Sequence, residues 1–421
     1  MSVRRLFAVT AAAAVALFAT VGQADAQTHV TRVAALHLHA VDVCPPPAKG
    51  QVSCLATVLA NSHNQPFTTP APSGYAPSDL RTAYGLTKAS PSRGAGQTVA
   101  VVDAYDDPTA EGDLAVYRSA FGLPACGTGC FEKVAQDGTT NYPKANTGWS
   151  TEISLDLDMI SAICPRCHIL LVEAAGADNA DVETGENTAA RLGATEISNS
   201  FGGSEPSDAT AEDVNFHHPG IATTAATGDD GYGVEYPASS PYVLAVGGTT
   251  LNESSSGAFS ETAWSGSGSG CSAYEPKPAW QASVAPDCPS NRAEADVAAD
   301  ADPNTGVAVY GPSDEESCGL VVVCTAKPTH GWIEVGGTSV GAPLIASVIA
   351  LAGNASTFTP GVPYRHTHLL HNITTGSNCT QGSGGLLGLF GPACPDNELD
   401  NAGPGWNGPT GLGTPNGLGA F

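Results

Sequence analysis

Short apolar segments alternate with amphipathic ones along the central part of the chain. Runs rich in Val, Ile, Leu and Ala are typical of buried parallel strands. Strands that alternate with helices predict an α/β domain with a mainly parallel sheet and helices on both faces. In such domains the functional site lies at the carboxyl ends of the strands. Strands are predicted at 97–105, 168–174, within 220–231, at 241–249 and at 306–312, and helices at 107–122, 151–163 and about 180–192.

The first 26 residues follow a different pattern. Arg4 and Arg5 precede a long apolar run, and the small residues Ala-Asp-Ala precede Gln27. This pattern is typical of a secretory signal peptide. Later apolar runs are shorter than the roughly 20 residues that a membrane span requires. We therefore expect a secreted protein that does not contact the membrane once residues 1–26 are removed.

The remaining chain is predicted to form one large domain with a short N-terminal segment. Residues 27–75 are polar and rich in Pro and Ala, and we interpret them as a candidate reduced propeptide. Residues 76–421 carry the alternating strands and helices. The Gly-rich segment 265–272 lacks the lysine and the helix of a phosphate-binding loop, so we predict a flexible surface loop there.

Charge and cysteine content narrow the classes of function. The chain has 16 basic and 41 acidic residues, which makes nucleic acid and anionic membranes poor partners. The acidic surface suits a protein that works at low pH, and equally any soluble secreted protein. The 12 cysteines all follow the signal peptide, and an even count in an exported chain predicts disulfides. Sequence alone does not fix the connectivity, but we expect disulfides between cysteines close in sequence: 44/54, 126/130, 164/167, 271/288, 318/324 and 379/394. We also expect the protein to be a monomer.

Cys164 and Cys167 belong to a Cys-Pro-Arg-Cys motif, which can mark a redox or zinc site. The sequence offers neither a second such motif nor a paired-histidine motif to complete a metal site. A structural disulfide is therefore the favoured interpretation.

Ser339 is the candidate nucleophile. It lies in VGGTSVGAPL (335–344), between small residues and ahead of an apolar run, as at the start of a helix. A serine hydroxyl needs a base that takes its proton. Asp103, in VAVVDAY, could serve a Ser-His-Asp triad, but no suitable histidine follows it. His217 and His218 precede a Pro-Gly turn, which favours loop residues.

Carboxylates offer an alternative base. Glu152 and Asp156 are four residues apart in the helix predicted at 151–163, so both lie on one face. Such a pair is usually solvated, but apolar neighbours make this helix a core element, where paired carboxylates have separated pKa values. Asp229, in TGDDG after an apolar strand, is either an ordinary turn residue or a protonated donor to an oxyanion.

Together these motifs resemble the sedolisin family, the serine-carboxyl peptidases, over roughly residues 75–421. TEISLD is similar to the family's E-x-x-x-D helix, GGTSVGAP to its nucleophile motif, and TGDDG to its S-G-D-x-G loop. ISNSFGG (197–203) resembles the segment that pairs with the substrate backbone. DVAADADPNTG and GWNGPTGLGTPNG are also similar to family segments. The resemblance implies a subtilisin-like, doubly wound α/β fold.

The resemblance also implies a function and the role of each site residue. Ser339 would attack the peptide bond, Glu152 would be the general base, Asp156 its partner and Asp229 the oxyanion donor. The expected activity is endopeptidase cleavage of polypeptide substrates at acidic pH, through an acyl-enzyme. A glutamate with an intrinsic pKa near ~4.3 is a base in acid, where imidazole would be charged. The alternative is a non-catalytic sedolisin-like protein that binds peptides or cell-surface material.

The sequence departs from the family in two places. Family members commonly carry a large prodomain, whereas here about 50 residues separate the signal peptide from the catalytic domain. The family also binds a structural Ca²⁺ through two Asp residues and backbone oxygens, and both Asp positions are Asn in this chain. Because a hard cation prefers carboxylates, we expect a weakened site or none. The matching positions are Asn372, Ile373, Gly403, Gly405 and Asn407.

Overall fold

The fold is taken from a computed structural model that describes residues 38–62, 64–127, 129–313, 329–379 and 394–421. The predicted signal peptide (1–26) and the predicted Cys318–Cys324 pair lie outside these residues. None of the helices in the described part combines the length and the apolar character needed to cross a membrane.

The described residues form helices and strands in the predicted alternation. The helices are α1 (Pro77–Ala83), α2 (Ala110–Ala120), α3 (Thr147–Ile163), α4 (Asn179–Arg191), α5 (Ala209–Glu212) and α6 (Gly341–Ala352). The strands before α4 are β1 (His39–Asp42), β2 (Ser53–Cys54), β3 (Thr57–Ala60), β4 (Thr98–Ala104), β5 (Phe131–Ala135) and β6 (His168–Ala174). Next come β7 (Glu196–Asn199), β8 (Phe201–Ser204), β9 (Ala222–Ala226), β10 (Glu235–Tyr236), β11 (Leu244–Glu253), β12 (Phe259–Ala263) and β13 (Gly270–Pro276). The last are β14 (Asn291–Glu294), β15 (Val297–Asp300), β16 (Val307–Ser313), β17 (Thr329–Gly336), β18 (Leu370–His371) and β19 (Thr414–Pro415).

A central eight-stranded sheet organises the domain. Its order is β12-β11-β9-β7-β4-β6-β5, and β15 also pairs with β11. All these pairings are parallel except that of β12 with β11. The predicted fold class, a mainly parallel doubly wound sheet in one large domain, is confirmed.

Alternating side chains of β4 show why the helices cover both faces. Val99 and Val101 are buried in the core that also contains residues of α3 and α6. Ala100 and Val102 point the other way, into a second core with Val182 of α4. Because successive side chains of a strand point to opposite faces, an unbroken apolar run requires cover on both.

The N-terminal segment contributes strands to smaller sheets around the site. In a four-stranded antiparallel sheet the order is β1-β3-β17-β16, and β2 lies at the edge of the order β10-β8-β2. Three of the four residues of β3 are buried, with Val58 1% exposed. The division at residues 75/76 stays a prediction, but residues 39–60 lie against strands from later in the chain.

Five of the expected disulfides are present in the described residues. They link Cys44–Cys54, Cys126–Cys130, Cys164–Cys167, Cys271–Cys288 and Cys379–Cys394. All are local pairs, as the spacing favoured. The Cys-Pro-Arg-Cys motif is thus closed by a disulfide.

The Gly-rich segment 265–272 is not a surface loop, so that prediction was wrong. Ser267 and Ser269 are fully buried. The Ser267 hydroxyl donates to the Pro409 carbonyl at 2.7 Å and accepts from the Gly248 N–H at 2.8 Å. A Cβ on Gly268 would overlap the backbone of Thr227. Glycine is needed in this segment because other backbone segments approach it closely, not because the segment needs conformational freedom.

Several carboxyl groups are buried in this fold without a recorded lysine or arginine partner. Asp103, Glu186 and Glu196 are all 0% exposed. Burial raises the pKa of each to about 8, because the ionised form loses its hydration. The native state therefore binds protons more tightly than the unfolded chain, whose carboxyls titrate near ~4.

This proton binding predicts a fold that is more stable in acid. The stabilisation is complete below the unfolded pKa and is lost as pH rises towards 8, at about 1.36 kcal/mol for each unit of pKa difference. We expect thermal melts to give a Tm at pH 8 at least about 5 °C below that at pH 4. Glu186→Gln should reduce this difference, and Glu132→Gln, at an exposed position, should not. An equal or higher Tm at pH 8 would refute the prediction.

Candidate active site

The candidate site lies where several parallel strands end. Asp103 is the penultimate residue of β4, Ser200 follows β7, and Asp229 lies in the loop after β9. Ser339 lies in a 3-10 turn, Thr338–Val340, that leads directly into α6. The carboxyl edge of the sheet therefore brings together residues that are far apart in sequence, as expected for this class of fold.

Helix α3 carries the paired carboxylates. It begins four residues before the predicted start, with the Asn146 side chain accepting from the Trp149 N–H at 3.2 Å as an N-cap. Every residue from Trp149 to Ile163 is buried. Glu152 and Asp156 are both 0% exposed. The prediction that this helix is a core element, with the two carboxylates inside, matches their position.

Glu152 and Ser339 are close neighbours. The pKa of Glu152 is raised well above its usual range, first by burial and then by the carboxyls of Asp156 and Asp103. The Ser339 hydroxyl acts in the opposite direction, as a hydrogen-bond donor close to the Glu152 carboxyl. In this structure, however, that hydroxyl is directed at the Ser200 carbonyl, 3.3 Å away, and both Glu152 oxygens are buried without a hydrogen bond.

Asp156 lies behind Glu152 and is held by Ser200. The Ser200 hydroxyl donates to Asp156 Oδ1 at 2.7 Å. Burial, followed by the nearby Asp103 carboxyl, raises the pKa of Asp156 well above its usual range. Ser200 thus contacts both parts of the site, since its hydroxyl donates to Asp156 and its carbonyl accepts from the Ser339 hydroxyl.

Asp103 is a third carboxyl of the same cluster, which sequence reasoning set aside when no histidine partner was found. Both of its oxygens are buried without hydrogen-bond partners. Its charge acts on Glu152 and on Asp156 alike. The alternation of side chains along β4 indicates this position, because Asp103 lies on the same face as Val99 and Val101, which packs towards α3.

Asp229 is hydrogen-bonded to Thr338, the residue before Ser339. Its Oδ1 accepts from the backbone N–H and the hydroxyl of Thr338, both at 2.7 Å. Its Oδ2 is buried and has no hydrogen-bond partner. Burial raises the pKa of Asp229 well above its usual range, so the acid form is favoured, with the proton on the free Oδ2. The neighbouring Asp230 is exposed.

The histidines that sequence analysis weighed lie elsewhere. The His217 ring stacks on Tyr242, with 4.0 Å between ring centroids. His218 Nε2 is 3.9 Å from a carboxyl oxygen of Glu186. The neighbours recorded for the Ser339 hydroxyl are instead the Ser200 carbonyl and the Glu152 carboxyl.

The segment that would match a calcium site is closed by amide hydrogen bonds. Asn372 Nδ2 donates to the Gly405 carbonyl at 2.7 Å, and the Gly405 N–H returns a bond to Asn372 Oδ1 at 3.0 Å. Asn407 Nδ2 donates to the carbonyls of Ile373 and Gly403, at 3.1 and 3.4 Å. The oxygens that would bind a cation thus face N–H donors. These residues do not fit a Ca²⁺ ion, which needs oxygen ligands and prefers carboxylates.

The amide bonds predict that chelation leaves the fold unchanged. We expect excess EDTA to shift the Tm of the wild-type protein by less than about 1 °C, because no bound cation is removed. The Asn372→Asp, Asn407→Asp double variant restores two carboxylates and provides the matched comparison. Added Ca²⁺ should raise its Tm and not that of the wild type. A large fall in the wild-type Tm with EDTA would show that an ion is bound.

Comparisons with known proteins identify the family. The model of the subtilase family (Peptidase_S8) matches residues 134–391. The chain is 30% identical to kumamolisin of Bacillus sp. strain MN-32 over 389 residues, which cover 83% of this chain and 63% of that protein. It is 26% identical to sedolisin of Pseudomonas sp. strain 101 over 385 residues, which cover 81% and 60%.

A solved structure gives the same result. Pseudomonas sedolisin, a serine-carboxyl proteinase in complex with two molecules of pseudo-iodotyrostatin, superposes with a TM-score of 0.64 at 27% identity. The match covers 83% of this chain and 96% of that one. The chain belongs to the subtilase family. Its relatives within that family are sedolisins, which confirms the resemblance drawn from the sequence motifs. The chain spans about three fifths of the length of the curated relatives that it matches.

Proposed function

We propose that the protein is a secreted serine-carboxyl endopeptidase that hydrolyses polypeptides at acidic pH. The observation that carries this proposal is the buried cluster of Glu152, Asp156 and Asp103 beside the Ser339 hydroxyl, with Asp229 nearby. Three carboxyls without a cation are costly to bury, and such perturbed groups cluster at functional sites. The signal-peptide pattern supports export, and the raised pKa values of the buried carboxyls, which predict greater stability in acid, support work at low pH.

The first chemical step forms an acyl-enzyme. Ser339 Oγ attacks the carbonyl carbon of the substrate, and its proton passes to Glu152, which must be ionised to receive it. Asp156, held by Ser200, and Asp103 lie behind Glu152 and share the protons of the cluster. The carbon–nitrogen bond then breaks as the proton moves from Glu152 to the leaving amine.

The oxyanion of the tetrahedral intermediate needs hydrogen-bond donors. The backbone N–H of Ser339 supplies one, and the protonated Oδ2 of Asp229 supplies the other. A carboxyl donates only in its acid form, and burial keeps Asp229 in that form. Water then attacks the ester on Ser339 by the same route, with Glu152 as base, and releases the carboxylic acid product.

Two opposite requirements bound the working pH. Glu152 must lose its proton, while Asp229 must keep one. Histidine would be charged at such pH values and could not accept a proton. Burial opposes the ionisation of this pair, while the hydroxyls of Ser339 and Ser200, which act on Glu152 and Asp156 respectively, favour the single negative charge that the pair must carry to serve as a base.

A digestion assay tests the proposal. We expect the purified protein to cleave denatured casein at pH 4, with little cleavage at pH 7, and Ser339→Ala to be inactive at both. Ser347→Ala is a matched control, since Ser347 is equally buried, in α6, and lies two turns from Ser339. An absence of cleavage from pH 2 to 8 would overturn the proposal in favour of a non-catalytic peptide-binding protein.

A further inference from the structure

The chain's own N-terminal segment lies across the candidate active site as an extended strand. β2 pairs antiparallel with β8, with Ser53 opposite Gly202. The Leu55 N–H donates to the Ser200 carbonyl at 3.1 Å. This is the segment that the sequence motif identified as the partner of the substrate backbone. Residues 53–55 therefore occupy the place of a substrate's acyl side.

The Leu55 carbonyl lies where a scissile carbonyl would lie. Its oxygen accepts from the Ser339 backbone N–H at 3.1 Å. A Cβ atom built on Gly337 would overlap both this oxygen and Asp229 Oδ2, so the two oxygens are neighbours. Gly337 has a φ of +97°, and glycine is required there for both reasons. The carbonyl oxygen is thus surrounded by the two proposed oxyanion donors.

The chain continues on the leaving side of the site without interruption. Thr57 and Val58 of β3 pair antiparallel with Gly336 and Val335, the residues that end β17 just before Ser339. Ala56 lies between the two paired stretches and is 1% exposed. Both sides of the Leu55–Ala56 bond are therefore held as strands in the site.

The same segment is closed on itself, so that both sides of this bond belong to one hairpin. β1 pairs with β3 from His39 opposite Ala60 to Asp42 opposite Thr57. The Val43 N–H donates to the Ala56 carbonyl at 3.0 Å. The Cys44–Cys54 disulfide closes the loop one residue before Leu55. A cut between residues 55 and 56 would leave each new end hydrogen-bonded to the other fragment.

We propose that residues 39–60 form a built-in inhibitor hairpin, in which Leu55–Ala56 is the bond that the enzyme binds and cleaves in itself while retaining both ends. The proposal rests on the proposed function. Ser339 Oγ bonds to the Leu55 carbonyl carbon as its proton moves to Glu152. The bond to the Ala56 nitrogen then breaks, and that nitrogen receives the proton. Water releases Leu55 as a carboxylic acid, or the Ala56 amine attacks the ester and reforms the peptide bond.

Retention of both ends explains why the hairpin would inhibit rather than be consumed. The Ala56 amine, held by β3, stays beside the ester at a high effective concentration, which favours religation over release. The Cys44–Cys54 loop keeps residues 53–55 extended, which reduces the ordering cost of rebinding. External substrates must therefore displace a preorganised segment.

The position of Leu55 also defines a side-chain preference. Leu55 is 7% exposed and lies in an apolar cluster with Ala226 and Ala342. Small alanine side chains leave room for a medium-sized aliphatic residue, and a charged one would lose hydration there without a partner. The substrate class is thus polypeptides with Leu or a similar aliphatic residue on the acyl side of the cleaved bond.

Mass spectrometry of the protein itself tests the inference. After incubation of the full chain at pH 4, we expect a new N-terminus at Ala56 and a peptide that ends at Leu55, both absent in Ser339→Ala. On a native sizing column at pH 4 the peptide should elute with the remaining chain, and it should separate in denaturant. A cut elsewhere, or a peptide that leaves under native conditions, would overturn the inference.

An external peptide with Leu before the cleaved bond tests inhibition. Leu55→Lys should start roughly tenfold faster or more than wild type, since the site is open in a larger fraction of molecules. Leu59→Lys, at a half-exposed position of the same hairpin, should match wild type. If wild type cleaves the peptide while Leu55→Lys gives no increase, the inhibitor role fails and the proposed function stands. If no variant cleaves any peptide, the proposed function fails.

Discussion

Glu152→Gln is expected to lower kcat about 10²- to 10⁴-fold, which is the usual contribution of a general base. Glutamine has nearly the same shape and is neutral, so the buried site around Ser339 stays packed but loses its proton acceptor. The change also removes a raised-pKa carboxyl from the core, so stability at pH 7 should be equal or higher. Initial rates on a peptide substrate at pH 4, with melts of the same samples, measure both effects.

Asp158→Asn is the matched control for that change. Asp158 lies on the same helix, is 1% exposed, and accepts from the Tyr310 N–H at 3.0 Å. Burial raises its pKa as well, but it does not contact Ser339. We expect kcat within about threefold of wild type, as for changes away from reacting groups. Equal losses in both variants would mean that α3 is needed for packing alone.

Asp229→Ala should lower kcat about 10²- to 10³-fold, as removal of one oxyanion donor does. Asp229→Asn should retain most of the activity, because an amide N–H can donate to the oxyanion while its oxygen accepts from Thr338. Neither variant can ionise at position 229, whereas the wild-type carboxyl can. Wild-type activity falls as pH rises through the raised pKa of Asp229, since the ionised carboxyl cannot donate.

The alkaline limb of the pH profile therefore separates the roles. Asp229→Asn, which does not ionise, should extend activity to higher pH until the stability of the fold limits the rate. Asp230→Asn, at the exposed neighbouring position, should leave the profile unchanged. If Asp229→Asn has the same alkaline limb as wild type, then Asp229 is not the group whose proton is required.

Much of the fold could be predicted because its strands are apolar on both faces. The run at 97–105 can only be a strand covered on two sides, and the structure places β4 at the centre of the sheet. Helix α3 was identified from the same evidence, although its N-cap at Asn146 was missed because residues 147–150 are not apolar in pattern. The Gly-rich segment 265–272 failed for a physical reason: glycine marks both free loops and close backbone contacts, and only tertiary structure distinguishes them.

The candidate site was predictable in part. Glu152, Asp156, Asp229 and Ser339 were selected from motifs, and the structure places them around one hydroxyl, although their catalytic roles stay predictions. Asp103 was set aside because a triad was sought with histidine. The hydrogen bonds of Leu55 could not be foreseen, since nothing local in residues 39–60 reveals which distant strands they join. Pairing between segments nearly 300 residues apart is a property of the folded chain.

Covalent labelling of Ser339 measures its reactivity most directly. Three proteins are compared: wild type, Glu152→Gln and Asp158→Asn, each with Leu55→Lys added so that the site is open. A fluorophosphonate that reacts with activated serines is added to each at pH 4 and at pH 7. We expect labelling of Ser339 at pH 4 in the first and third proteins and almost none in Glu152→Gln. Equal labelling in Glu152→Gln, or labelling of wild type only at pH 7, would contradict activation by a buried carboxylate.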